Sequence, residues 1–111
     1  MSDYDKSMPV MVDVTLESEE KSQLIGDSSV NIKFSQDIVA FEIANNSENA
    51  TIYLKIDGTA ASTSTGIPIY PGGFYGATKK VLQDTGISLI SNIAGTDVRI
   101  VGHYNLESEL K

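Results

Sequence analysis

Apolar side chains recur at every second position over most of this chain, a period that selects strands. "VMVDVTL" places Val10, Val12, Val14 and Leu16 on one face, and "SVNIKF" does the same with Val30, Ile32 and Phe34. "DIVAFEIANN" puts Val39, Phe41 and Ile43 inward and Glu42 outward. "TIYLKID" separates Ile52, Leu54 and Ile56 from Tyr53, Lys55 and Asp57, as in a strand with one wet face. β-branched residues are frequent in these runs, whereas helix signals are weak.

Turn residues punctuate the runs. "SQD" reads as a tight hairpin between the second and third, and "NNSENA" as a turn cluster. In "GIPIYPGGFYGAT", Pro68 and Pro71 each remove a ladder donor and Gly72-Gly73 favours a turn, so a short hairpin is expected around Tyr70 to Phe74. "ESEEKSQL" is open to a short helical turn or a polar loop, and "KKVLQDTG" to a last strand segment or a loop with a helical turn. "GISLISNIAGTDVRIVGHYNL" supplies two more strands, Ile87 to Ser91 and Asp97 to Tyr104. Seven to eight short strands with frequent turns predict an all-β fold, either an antiparallel β-sandwich, Ig-like or jelly-roll-like, or a small barrel.

The length of 111 residues suits one domain, and 41% hydrophobic with 21% charged residues describes a chain that folds. Charge is uneven: residues 1–29 carry seven acids against two bases, more than half of the net −7. This predicts an acidic N-terminal arm over 1–29 with one strand-like segment, followed by a β-sandwich domain over 30–111. The arm is open to two readings, a solvated extension and a segment that docks on a basic partner surface. Without a basic stripe, no nucleic-acid partner is expected. "MSDYDKSMPV" is acidic where a secretory leader is basic and then apolar, and no run is long enough to span a bilayer, so a soluble protein without a membrane partner is expected.

Chemistry is sparse. The chain has no cysteine, which removes disulfides, thiolate metal sites and cysteine nucleophiles. His103 is the lone histidine, too little for a zinc site without distant carboxylates, and no serine lies in a nucleophile elbow. Asp37, Glu48, Asp57, Asp84 and Asp97 fall mostly at turns, where acids serve turn geometry. "DGTAASTSTG", residues 57–66, has neither the alternating carboxylates of a calcium loop nor the ending of a P-loop, and reads as a surface connector. "NNS" and "NAT" match the glycosylation sequon but read as chance matches in a turn. No catalytic residue, cofactor or metal is therefore expected, and an enzyme survives only if carboxylates from separate strands converge. Tyr70, Phe74 and Tyr75 flank the Pro-Gly turn, where they can close the core, anchor a protein interface or stack on a sugar.

The stretch "IANNSENATIYLKIDGTAASTSTGIPIYPGGFYGAT", followed by "GISLISNIAGTDVRIVGHY", resembles small β-sandwich structural proteins of tailed-bacteriophage virions over about residues 40–104. The resemblance implies a non-enzymatic virion protein assembled in the host cytoplasm, foremost a capsid decoration or cement protein binding major-capsid subunits. A head-fibre or tail module that binds carbohydrate or receptor, and a neck or tail connector, are the alternatives. It also implies partner contacts, through a strand at Val10, Val12, Val14 and Leu16 added to a neighbouring sheet and through Tyr70, Phe74 and Tyr75, and a homo-oligomer.

Overall fold

The computed structural model describes residues 16–105. Eight strands follow one another: Leu16–Ile25 (β1), Val30–Ile32 (β2), Ala40–Asn45 (β3), Ile52–Lys55 (β4), Ile67–Ile69 (β5), Phe74–Ala77 (β6), Ile87–Ser91 (β7) and Thr96–Asn105 (β8). They build two antiparallel sheets, ordered β1-β8-β3-β6 (sheet 1) and β2-β7-β4-β5 (sheet 2). The chain changes sheet at every connection except β4 to β5. That alternation selects the jelly roll among the expected sandwiches.

The period-two pattern explains where the core lies. Phe41 and Ile43 of β3, Val98 and Ile100 of β8, Ile52 and Leu54 of β4, and Ile87 and Leu89 of β7 are all within 1% of complete burial between the sheets. Register keeps like with like: Ile43 stands opposite Ile100, and Leu54 opposite Leu89. Phe34, from the β2–β3 connection, closes one end by lying over Gly102, where a Cβ would come within 2.7 Å of its ring. Only a glycine leaves that seat open.

One polar side chain is built into this core. Asn45, 2% exposed, donates from Nδ2 to the carbonyls of Ala50 and Ile69, each at 2.8 Å, while its Oδ1 accepts from the Ser47 hydroxyl at 2.6 Å. Since Ile69 ends β5, this amide ties β3 of sheet 1 to sheet 2. The amide thereby adds a bond to two buried carbonyls, one of them also held by the Ser47 hydroxyl at 3.1 Å.

Several local expectations are corrected. "ESEEKSQL" is neither a helical turn nor a polar loop but most of β1, which pairs with β8 from Leu16↔Asn105 to Ile25↔Thr96. A ten-residue ladder outweighs the weak local preference, and fully buried Ile25 anchors it. Residues 16–25, expected within the arm, therefore lie in sheet 1 as β1. The "SQD" and Tyr70–Phe74 turns are not hairpins, because β2 and β5 lie in sheet 2 and β3 and β6 in sheet 1. The turn at the second site does form, with Gly73 N–H donating to the Tyr70 carbonyl at 2.7 Å and Gly72 at φ 71°, but it carries the chain between sheets. "KKVLQDTG" contributes one bridge, Ile38↔Val81, and then a turn in which the Thr85 and Gly86 N–H groups share the Leu82 carbonyl.

Candidate interaction surface

The two sheets differ on their outer faces. On sheet 2, residues 57–66 fold back as a roof: Ala61, 4% exposed, donates its N–H to the Ser88 hydroxyl at 2.9 Å. The loop is held by its own side chains, as Asp57 accepts from the N–H and hydroxyl of Thr59 at 3.1 and 2.6 Å and the Ser62 and Thr65 hydroxyls meet at 2.8 Å. Those Thr59 bonds, hydroxyl first, hold the Asp57 carboxyl below its usual range. The hydroxyls of "DGTAASTSTG" thus shape a connector.

Sheet 1 has no such roof among the described residues. Alternation and register place Leu16, Ser18, Glu20, Ser22 and Leu24 of β1 on its outer face, beside Asp97, Arg99, Val101 and His103 of β8. Ala40, Glu42 and Ala44 of β3 and Phe74 and Gly76 of β6 complete it. Leu16, Leu24 and Phe74 are large apolar side chains left 53%, 67% and 67% exposed. Phe74 lies along its own strand, its Cε2 3.5 Å from where a Gly76 Cβ would stand.

Polar groups on this face are largely engaged with one another. Asp97 accepts from Arg99 Nε and Nη2 at 3.1 and 3.0 Å and from Asn46 Nδ2 at 2.9 Å. The Arg99 hydrogen bond, then that from Asn46, holds the Asp97 carboxyl below its usual range, and Asp97 in turn raises Arg99. His103 Nε2 sits 3.7 Å from Glu42 Oε2, within reach of an ion pair when the imidazole is protonated. The recess beside Phe74, bounded by Ala40, Glu42, Gly76 and Thr78, measures ≈ 230 Å³. That recess is below the roughly 300–1,000 Å³ of a small-molecule pocket, and a second one on the same face, between Glu20, Ser22, Arg99 and Val101, measures ≈ 300 Å³, at the bottom of that range.

The residues singled out in the sequence separate in space. Val10, Val12 and Val14 lie outside the described residues, while Leu16 opens β1 on the exposed face of sheet 1. Phe74 shares that face at the opposite edge, and Tyr70 is 64% exposed in the turn before it. Tyr75 points inward, opposite Ile43, its ring centroid 6.1 Å from that of Phe41. The aromatic trio therefore divides into two exposed side chains and one packing partner. Sequence reading missed Leu24, whose place on the face depends on β1 being a strand. Among the described residues, no three His, Asp or Glu side chains gather as a metal site would require.

No family model matches the chain, and no curated protein matches it. Among solved structures, a Bacillus endospore appendage, described as one of a novel family of disulfide-linked pili, matches at 15% identity and a TM-score of 0.48. The alignment covers 84% of this chain and 88% of that one. A likeness at this level carries no functional information.

Proposed function

We propose that this protein is a non-enzymatic structural subunit of a tailed-bacteriophage virion, a capsid decoration protein that binds major-capsid subunits. The observation that carries the reading is the contrast between outer faces: sheet 2 is roofed by the chain's own loop, whereas sheet 1 leaves Leu16, Leu24 and Phe74 exposed among the described residues. An exposed aromatic on a floor of small residues has the form of an interface anchor, and its burial supplies binding energy. The resemblance of residues 40–104 to virion sandwich proteins supplies the class of partner.

Co-sedimentation with purified capsid shells lacking decoration tests this. The full chain should pellet with shells, and the Leu24→Ser/Phe74→Ser double variant should bind at least about tenfold more weakly at unchanged thermal stability, as loss of an interface anchor predicts. Failure of the full chain to bind such shells, or equal binding by the double variant, would overturn the assignment.

A further inference from the structure

The four sheet edges are not equally protected. β2 and β5 are three residues long, and β5 contains Pro68, which lacks a donor. β1 is ten residues long, but Glu17, Glu19 and Lys21 lie on its core-facing side, a device that discourages a further strand. β6 has neither charge nor proline. Its edge also outruns its four residues, since Gly72 and Gly73 already bond to Asn45 at 3.0 and 2.9 Å and Val81 exchanges two 3.0 Å bonds with Ile38 beyond it.

Hydrogen-bond phase shows what that edge offers. Asn45 N–H donates to the Gly73 carbonyl, so in an antiparallel ladder every second residue, Tyr75 and then Ala77, faces β3. Phe74 and Gly76 accordingly direct their N–H and C=O groups to the open side. Among the described residues, β6 pairs with β3 alone.

We propose that the β6 edge accepts residues 10–15, "VMVDVT", of a second copy of this chain as a ninth strand. Three features choose that occupant. Val10, Val12 and Val14 alternate as a strand with one apolar face requires, which would continue the core past Tyr75 and Ala77. Residues 1–15 carry Asp3, Asp5 and Asp13 against Lys6, while Lys79 and Lys80, the one adjacent lysine pair in the sequence, stand exposed beside the β6 edge. The donor segment leads into β1, at the opposite edge of sheet 1 from β6, with β8 and β3 between. A segment leaving one edge and docking on the other edge of the next copy makes a head-to-tail contact, which leaves a free donor and a free acceptor at the ends and allows growth beyond a dimer. The proposal concerns contacts between copies and holds whether or not the protein binds shells.

Sedimentation of the full chain without shells, across a concentration series, is the test. Wild type should form a series extending past the dimer, weakened by salt. Val12→Lys removes the donor strand's apolar face. Gly76→Pro removes an outward N–H without touching a β3 bond, and the nearest atoms to a Gly76 Cβ, at 3.5 Å and beyond, leave it room. Each variant should remain monomeric, with association at least tenfold weaker and a native circular dichroism spectrum. Should Gly76→Pro unfold, Gly76→Glu replaces it, setting a like charge against the acidic segment. Mixing the two variants should restore a 1:1 dimer and nothing larger, because one good donor meets one good edge. A wild type that is monomeric throughout, including one whose own segment covers its own edge, overturns the proposal. So does normal assembly by the β6 variants, or a mixture that stays monomeric.

Discussion

β7 and β8 are joined by only four residues, yet they meet different surroundings. All five residues of β7 are buried, whereas β8 alternates between buried and partly exposed positions along most of its length. The difference comes from what covers the outer faces. β7 lies under the 57–66 loop, and its polar positions are answered inside: Ser88 Oγ accepts from Ala61 N–H, and Ser91 Oγ meets Thr96 Oγ1 at 2.8 Å. β8 has the sandwich on one side and, among the described residues, an uncovered face on the other. A strand's sequence therefore reports its inner neighbours faithfully, while coverage of its outer face depends on a distant loop.

The largest effect should come from separating the two sheets. Asn45 stands opposite Val98 of β8 and holds the carbonyl of Ile69 in sheet 2. Asn45→Ala removes the amide's bonds to the Ala50 and Ile69 carbonyls and its acceptor for the Ser47 hydroxyl, and should destabilise the protein by about 2–4 kcal/mol. Urea unfolding measures this directly, and the melting temperature should fall by roughly 10–20 °C in a domain of this size. A loss below about 1 kcal/mol would mean that water replaces the amide and that Asn45 does not couple the sheets.

Gly102 sharpens the comparison on the inner side of β8. A Cβ there would approach Phe34 Cε1 to 2.7 Å and Ile38 Cγ2 to 3.2 Å, so Gly102→Ala overpacks and should cost about 1–3 kcal/mol. Phe34→Leu in the same chain should recover part of that loss. No recovery would place the strain in the backbone of β8 rather than at the ring.

The inner half of the fold was legible because alternation maps directly onto burial: Phe41, Ile43, Ile52, Leu54, Val98 and Ile100 were readable and all lie in the core. The crossings between sheets were not, because a short polar turn between two strands has similar composition whether it closes a hairpin or carries the chain across the sandwich. β1 was obscured for another reason. Its core-facing positions include Glu17, Glu19, Lys21 and Gln23, which erase the apolar half of the alternation at the edge. Of the candidate surface, Leu16 and Phe74 were singled out in the sequence and both are exposed on sheet 1. Leu24 required knowledge of the β1 register, and the inward turn of Tyr75 required the pairing with Ile43.

Ser88→Ala tests the roof over β7. It removes the acceptor for a buried N–H and should cost about 1–2 kcal/mol. Hydrogen exchange at the Ala61 amide should accelerate about tenfold while the β8 amides keep their protection. Arg99→Ala, on the exposed face of β8, should change stability by no more than about 0.5 kcal/mol. If the two substitutions cost the same, the outer faces of the two strands are energetically alike and the contrast fails.

The smallest effect concerns the edge where β1 meets β8. Glu19 reaches across to the β2–β3 connection, accepting from the Ser35 N–H at 3.0 Å and its hydroxyl at 2.8 Å, with Lys21 Nζ 3.2 Å away. Partial burial pushes the carboxyl up, but the Ser35 bonds and then Lys21 together outweigh it, holding the group below its ordinary 4.5. Because the folded form holds the proton less tightly than the unfolded one, this contribution is fully present above the ordinary value. It is lost as pH falls through the lowered folded value. Glu19→Gln keeps the shape and removes the titration, so wild type should be the more stable protein at neutral pH, with the gap closing on acidification. Denaturant midpoints of the pair across the acid range measure it, and amide exchange along β1 should show the same pH dependence before the amides of β3 do. A gap independent of pH would mean that Ser35 binds the amide as well as the carboxylate, leaving β1 held by its ladder and Ile25 alone.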